Sequence, residues 1–307
     1  MKKSELVDII VIVGIFIITV FSLSNFFINK DILFDGKDSI VLEDKKQLKI
    51  ASFNVQVLGR SKMKKPEVVD NLLKILSRYD IIFIQELRDK SGLAIKKLLA
   101  KLNEKSDSHY QSIISKRLGI TSSKEQYVFF YKDPIKIISI YQHIGSKSDF
   151  NRDPFAVLFT YYGRRFGLLG VHIDPDDVKK ELNNLDDVYY DVSRSFSTKN
   201  LLLFGDFNAD CSYLSNYALK MLDLKRNKKF IWYIDSKQDT TVSQTDCAYD
   251  RLISNKDFYY KVDNVSIFNF KDEYNLTYRN ALKVSDHFPI EFDLILKDWL
   301  LSVFYYV

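Results

Sequence analysis

The stretch LLLFGDFNADCSY, Leu201 to Tyr213, limits what this chain can fold into more than any other. Four consecutive apolar residues suit a buried strand. The run then stops at Gly205 and releases Asp206, Asn208 and Asp210 in quick succession, with Cys211 directly behind. The same event recurs along the chain. LKIASFNVQVLG is apolar until Asn54 and Gln56 intrude near its end, YDIIFIQELRD closes on Gln85 and Glu86, and RFGLLGVHI closes on His172. Asp250 stands at the head of the strand-like run in YDRLI, and Asp286 with His287 opens the run through HFPIEFDLIL. QYVFFYK and FAVLFTYYG are two more strand-like runs.

Helical spacing falls between these strands. Pro66 suits the first turn of a helix carrying Val69, Leu72, Leu73 and Leu76, and a second helix extends from Ser91 to Leu102. DPDDVKKELNNL starts a third, its acidic residues in the first turn where the helix dipole favours them. Helices alternate with strands early and strands prevail later. That order predicts an α+β or α/β sandwich of two packed sheets with helices outside.

The N-terminus is different material. Behind Lys2 and Lys3, residues 9–28 read IIVIVGIFIITVFSLSNFFI, with Thr19, Ser22, Ser24 and Asn25 as the clearly polar members. A helix of this length spans about 30 Å, the thickness of a bilayer core. The segment reads as a membrane anchor, or as a signal segment cleaved after Ser22 and Ser24, and the lysines send the rest of the chain outward in either case. Residues 29–47 read as a polar tether, leaving 48–307 as the globular domain.

With 307 residues, 46% hydrophobic and 28% charged, the chain can bury a large core and is neither disordered nor fibrous. Two cysteines, Cys211 and Cys247, allow one bridge at most and exclude both a disulfide-dense scaffold and a cysteine-rich zinc site. Beyond residue 48 the chain carries 39 Lys/Arg against 33 Asp/Glu, a mild excess that suits a phosphate-bearing partner without demanding one.

A single Asp, Asn or His after a strand is ordinarily a turn or packing residue. Gathered on one rim of a sandwich, these strand ends would form a single cleft. Two of the four histidines, His172 and His287, belong to it, while His109 and His143 lie in polar, loop-like surroundings. Carboxylates and amides without clustered Cys or His suit a hard divalent ion, Mg²⁺, Mn²⁺ or Ca²⁺. Two imidazoles with acidic neighbours supply a general base and a general acid. Such equipment hydrolyses phosphodiesters.

The motifs KIASFN, IQELRD, KEQYVFFY, NRDP, GVHIDP, GDFNADCSY, TDCAYDRLI and SDHFP resemble, in this order over residues 48 to 296, the deoxyribonuclease I group of the endonuclease, exonuclease and phosphatase superfamily. The resemblance implies a four-layer αββα sandwich of two packed mixed β-sheets. It implies an exported, monomeric, divalent-metal-dependent endonuclease that hydrolyses double-stranded DNA to 5′-phosphate ends, either secreted or held on the outer face of the membrane. Asn54 and Glu86 would hold Mg²⁺ or Mn²⁺. Glu125 with His172, and Asp250 with His287, would form two acid/base pairs. Asp206, Asn208 and Asp286 would bind or polarise the scissile phosphate and its metal, and Arg88 and Arg152 would contact DNA. Asp239, Thr241, Ser243 and Thr245 match a structural Ca²⁺ loop, with Ser where Thr is usual. Cys211 would pin the loop behind Asn208 by bridging to Cys247.

Two features depart from the group. Ser123 stands where an aromatic residue packs in the minor groove, and the small cysteine-bridged loop before NRDP is missing, which removes support for a second Ca²⁺ site. Competing readings are a phosphodiesterase acting on phospholipid or inositol phosphate, and a surface DNA-binding protein whose catalysis has decayed. The CAYDR and NADCSY settings and Arg88 count against the first, and the intact carboxylate and histidine set against the second.

Overall fold

A computed structural model describes residues 47–146 and 149–297. The apolar segment 9–28 and the tether lie outside the described residues, except Gln47, which opens the first strand rather than ending the tether. Among the described residues no helix is long and apolar enough to cross a membrane.

Two six-stranded sheets pack face to face. The first runs β11-β12-β1-β2-β4-β3 and the second β5-β6-β7-β8-β10-β9. Their strands are β1 Gln47–Leu58, β2 Ile81–Leu87, β3 Tyr110–Ile114, β4 Gln126–Lys132, β5 Lys136–Gln142, β6 Phe155–Tyr161, β7 Arg164–His172, β8 Leu201–Asp206, β9 Phe230–Trp232, β10 Asp250–Asn255, β11 Lys261–Ile267 and β12 Ile290–Ile295. The long helices are α1 Pro66–Leu76, α2 Leu93–Lys105 and α3 Val178–Ser195. Short ones follow: α4 Asn216–Met221, α5 Asp223–Arg226, α6 Phe270–Glu273 and α7 Tyr278–Val284. This is the expected four-layer sandwich of mixed sheets.

The period of two explains the layers. Along β2, Ile81 and Phe83 point between the sheets, while Ile82 and Ile84 point to α1 and α2. Along β8, Leu202 and Phe204 face the inter-sheet core, while Leu201 and Leu203 face α3. Both faces are covered, so the interior strands read as unbroken apolar runs. Each fully buried Phe or Leu contributes about 1.5–3 kcal/mol. The fit is close: a Cβ on Gly170 of β7 would sit 2.2 Å from a ring carbon of Phe83 across the core.

The connections collect the functional residues at one rim. β1 and β2 are parallel, as are β7 and β8, so Asn54 lies opposite Gln85 and His172 opposite Asp206 at the carboxyl ends. β10 and β12 run antiparallel to β8 and β1 and therefore begin where those strands finish. Asp250 thus faces Asp206 across the ladder.

Candidate active site

The rim holds five ionisable side chains in an alternating row: Glu125, His172, Asp206, His287 and Asp250. Glu125 Oε1 lies 2.8 Å from His172 Nδ1, and Asp250 Oδ2 lies 2.8 Å from His287 Nδ1. Each outer carboxylate therefore orients one imidazole. Both Nε2 atoms then point at the same oxygen, Asp206 Oδ2, at 3.5 Å for His172 and 3.6 Å for His287. All five residues are buried.

Secondary structure fixes each member. Gly205 adopts φ +136°, and a Cβ there would stand 2.1 Å from the Val171 carbonyl oxygen, so only glycine lets β8 approach β7 just before Asp206. The Tyr127 hydroxyl accepts the His172 backbone N–H at 2.9 Å. Ser285, fully buried, donates its hydroxyl to the Asn54 carbonyl at 2.6 Å and accepts the His287 backbone N–H at 3.1 Å, coupling β1 to the imidazole. Thr240 Oγ1 accepts the Asp250 N–H at 3.2 Å.

Beside the row, Asn54 Nδ2 donates to Asp206 Oδ2 at 3.0 Å and to Glu86 Oε1 at 3.3 Å. Asn208 donates Nδ2 to the Ile173 carbonyl at 2.8 Å, and its backbone N–H bonds Asp206 Oδ1. Asp286 is partly exposed, 4.0 Å from His287 Nε2, and accepts Gln56 Nε2 at 2.8 Å. Gln56, Val57, Glu86 and Asn208 all have positive φ, between 43° and 62°. Side-chain-bearing residues in this region store about 1–3 kcal/mol each, and such strain clusters at functional sites. Here it has a visible result: the Gln56 and Val57 N–H groups bond Asn54 Oδ1 at 3.0 Å and Glu86 Oε2 at 2.9 Å.

The electrostatic balance follows from the row. Burial would raise the Glu125 carboxyl, but the His172, Arg152 and Arg88 charges overcome it and hold it at about 2. Burial opposes protonation of His287, yet Asp250 and Asp206 raise it to about 10. His172 is raised against burial and against Arg152 by Glu125 and Asp206. Burial pushes Asp206 up, and the two imidazoles with the Asn54 amide bring it below the usual carboxylate range. Asp250 is raised, chiefly by burial.

The two arginines have different environments. Arg88 bridges Glu86 Oε2 at 3.0 Å and Glu125 Oε2 at 3.5 Å while a third of its side chain stays exposed. Arg152 is turned inward: Nε lies 3.0 Å from Glu125 Oε1, and the guanidinium donates to the His172 and Ile173 carbonyls at 2.9 Å each. Its charge serves the Glu125–His172 pair.

Oxygen-bearing side chains gather at the rim and again in the loop of residues 239–245. Glu86 and Asp206 aim carboxylate oxygens at the Asn54 amide, whose hydrogens supply the positive charge there. Glu86, Glu125 and His172 form one set of donor atoms within 4.8 Å of one another, and Asp206, Asp250 and His287 another. Further along, Asp239 Oδ1 accepts Thr241 N–H at 2.9 Å and Thr241 Oγ1 at 2.8 Å, Thr241 Oγ1 lies 2.7 Å from the Thr245 carbonyl, and Ser243 Oγ lies 3.1 Å from Thr241 Oγ1. The loop is stitched to the site through Val242 N–H to the Asp286 carbonyl and Phe288 N–H to the Thr240 carbonyl. Cys211 and Cys247 are disulfide-bonded, tying the loop after Asn208 to the segment that leads into β10 at Asp250.

Sequence reasoning singled out Gln56 as an intruding polar residue without giving it a task, and missed Ser285, Thr240 and Tyr127. Ser285 stands next to Asp286 in SDHFP, the one signal that could have found it.

The Endonuclease/Exonuclease/phosphatase family profile matches residues 51–287. Deoxyribonuclease gamma of Mus musculus is 37% identical over 269 residues, covering 83% of this chain and 87% of its own length. Deoxyribonuclease-1 of Bos taurus is 35% identical over 260 residues, covering 80% and 92%. Among solved structures, an endonuclease/exonuclease/phosphatase family protein from Leptotrichia buccalis has the same fold at a TM-score of 0.59 and 20% identity, covering 80% of this chain and 99% of that one. The human Nocturnin catalytic domain gives 0.58 at 17% identity, covering 81% and 94%. With its motifs, its sandwich and these relatives agreeing, the chain belongs to the endonuclease/exonuclease/phosphatase family and, within it, to the deoxyribonuclease I group.

Proposed function

We propose that this protein is a divalent-metal-dependent endodeoxyribonuclease that hydrolyses DNA to 5′-phosphate ends. The observation that carries the reading is the convergence of two carboxylate-held imidazoles on Asp206 Oδ2. A phosphodiester seated against this row has a proton-transfer group on either side, as in-line displacement requires. His172 is the better base, because Arg152 opposes its protonation. His287, held protonated by Asp250 and Asp206, is the better acid for the leaving 3′ oxygen. Asn208 stands beside Asp206, where its amide reaches a phosphate oxygen, and Arg88 offers its exposed edge to the backbone. Glu86, Asn54 and Asp206 would hold Mg²⁺ or Mn²⁺, which when bound neutralises charge building on the phosphate. Asp239, Thr241, Ser243 and Thr245 would hold a structural Ca²⁺.

Export is supported by the disulfide, which persists in oxidising compartments, and by the lysine-led apolar run of residues 9–28. Anchorage through that run predicts a chain that resists carbonate extraction and is digested by protease added to intact cells. Recovery from the medium of a chain beginning near Asn25 would show cleavage instead.

Plasmid nicking tests the chemistry. His172→Ala and His287→Ala should each lower the rate by about 10²–10⁴, unrescued by added metal. Glu86→Ala should recover partly as Mg²⁺ or Mn²⁺ is raised. Parent-like nicking by both histidine variants, with contaminating nuclease excluded, would overturn the mechanism, and a parallel lipid-hydrolysis assay would reveal the phospholipid alternative.

A further inference from the structure

A cavity of about 560 Å³ opens beside the reaction centre, between the end of β1 and α7. Gln56 and Val57 form the wall it shares with that centre. On the other face of this wall, Gln56 Nε2 bonds Asp286 and the Val57 N–H bonds Glu86. Four cations, Lys62, Lys65, Arg279 and Lys283, stand in the rest of the lining beside Ser61, Tyr278 and Leu282, and no carboxylate is among the described lining residues.

The four cations have different tasks. Lys62 is buried and donates Nζ to the Val55 carbonyl at 2.6 Å and to the Val284 carbonyl at 2.7 Å. It fastens β1 to the end of α7, and burial pulls its pKa down to about 8. Lys283 is exposed and donates to Asn280 Oδ1 at 2.9 Å. Lys65 and Arg279 are exposed, and no ion pair involves either among the described residues. Two cations thus stand over a concave wall without carboxylate partners. An anion there would find charge already gathered, next to a centre built to receive a phosphodiester.

We propose that this cavity is a second phosphate subsite, holding a backbone phosphate of the DNA strand a few nucleotides from the scissile one. The proposal rests on the nuclease reading above. It follows from spacing and charge: each strand of duplex DNA carries one phosphate per ~3.4 Å of axis, so a strand seated at Asp206 brings further phosphates past both sides of the centre. Lys65 and Arg279 clamp one such phosphate, with Gln56 dividing it from the reacting group. Arg279 offers the fork that suits phosphate oxygens.

The test is the salt dependence of binding, read by fluorescence anisotropy of a labelled duplex with the full chain carrying His172→Ala, which holds the duplex uncut. The added double substitution Lys65→Gln and Arg279→Gln should weaken binding about tenfold at moderate salt and reduce the log–log salt slope by about 1, the loss of one neutralised phosphate. Lys65→Arg with Arg279→Lys keeps both charges and should retain the slope. Lys199→Gln, placed ahead of β8 at the opposite rim and paired with Asp257, should leave both readings unchanged. An unchanged slope in the glutamine variant overturns the subsite. So does an equal loss in the charge-conserving variant, which would trace the defect to folding. Plasmid nicking by the parent chain is scored in the same series: a parent that does not nick overturns the nuclease reading, whereas the slope ratio judges the cavity alone.

Discussion

His172 and His287 share one carboxylate oxygen but sit in different fields, and the difference is testable residue by residue. Arg152 lies against the Glu125–His172 pair, while among the described residues no lysine or arginine makes an ion pair with Asp250. Arg152→Gln removes a charge that opposes protonation, so the pKa of His172 rises. If His172 is the base, the acid limb of the kcat/KM profile moves to higher pH. Asp250→Asn removes the largest of the charges that keep His287 protonated, so the alkaline limb moves to lower pH. Profiles that shift the other way, or not at all, would reverse or remove these assignments. Glu125 gives a stability counterpart. Its folded pKa of about 2 lies below the ordinary 4.5, so its contribution is complete above pH 4.5 and is lost as pH falls towards 2. Acid unfolding followed by circular dichroism should therefore be less steep in Glu125→Gln across that window.

At the scale of the elements, the inter-sheet core tolerates little added volume. Gly170→Ala must displace the Phe83 ring, itself packed against Tyr127, Phe129 and Phe204. The substitution should destabilise by about 1–3 kcal/mol, measured by denaturant titration. The same packing explains what was legible in the sequence. The eight interior strands, β1, β2, β4, β6, β7, β8, β10 and β12, were all readable, because burial on two faces produces runs such as IIFI and LLLF. The four missed strands, β3, β5, β9 and β11, are the outermost of their sheets. Half-exposed, they mix Lys, Asp, Gln and Ser with apolar residues, as in KIISIYQ and KVDNVSI, and lose the signal. α4 to α7 are too short for a helical period to accumulate. α2 begins at Leu93 and α3 continues to Ser195, because exposed polar helix positions leave the ends unmarked. At the site, motif residues were legible where chemistry restricts side-chain type. The inward turn of Arg152 was not, since a guanidinium reads alike whether it faces solvent or a buried carboxylate.

Across the whole molecule, the disulfide spans 36 residues and should stabilise the fold by roughly 4 kcal/mol on the chain-entropy account. The sheet orders carry a further meaning. Advancing every strand number by six, with β12 followed by β1, converts the first sheet's order into the second's. The chain is thus two halves of six strands, β1–β6 and β7–β12, and each lends its closing hairpin to the other's sheet. Glu125 and Asp250 stand at the heads of the equivalent strands β4 and β10, and Arg152 and His287 each lie three residues ahead of the equivalent β6 and β12. The ion pairs Glu125–Arg152 and Asp250–His287 are therefore counterparts, one ending in a permanent cation and the other in a titratable one. Because the hairpins are exchanged, neither half can complete a sheet alone. A chain severed at the exposed β6–β7 turn, between Tyr162 and Gly163, should give two fragments that are unfolded apart and regain strand structure and plasmid nicking only when mixed. A fragment with cooperative unfolding of its own would refute this interlock, which makes the nuclease centre a property of the exchange between halves and of neither half by itself.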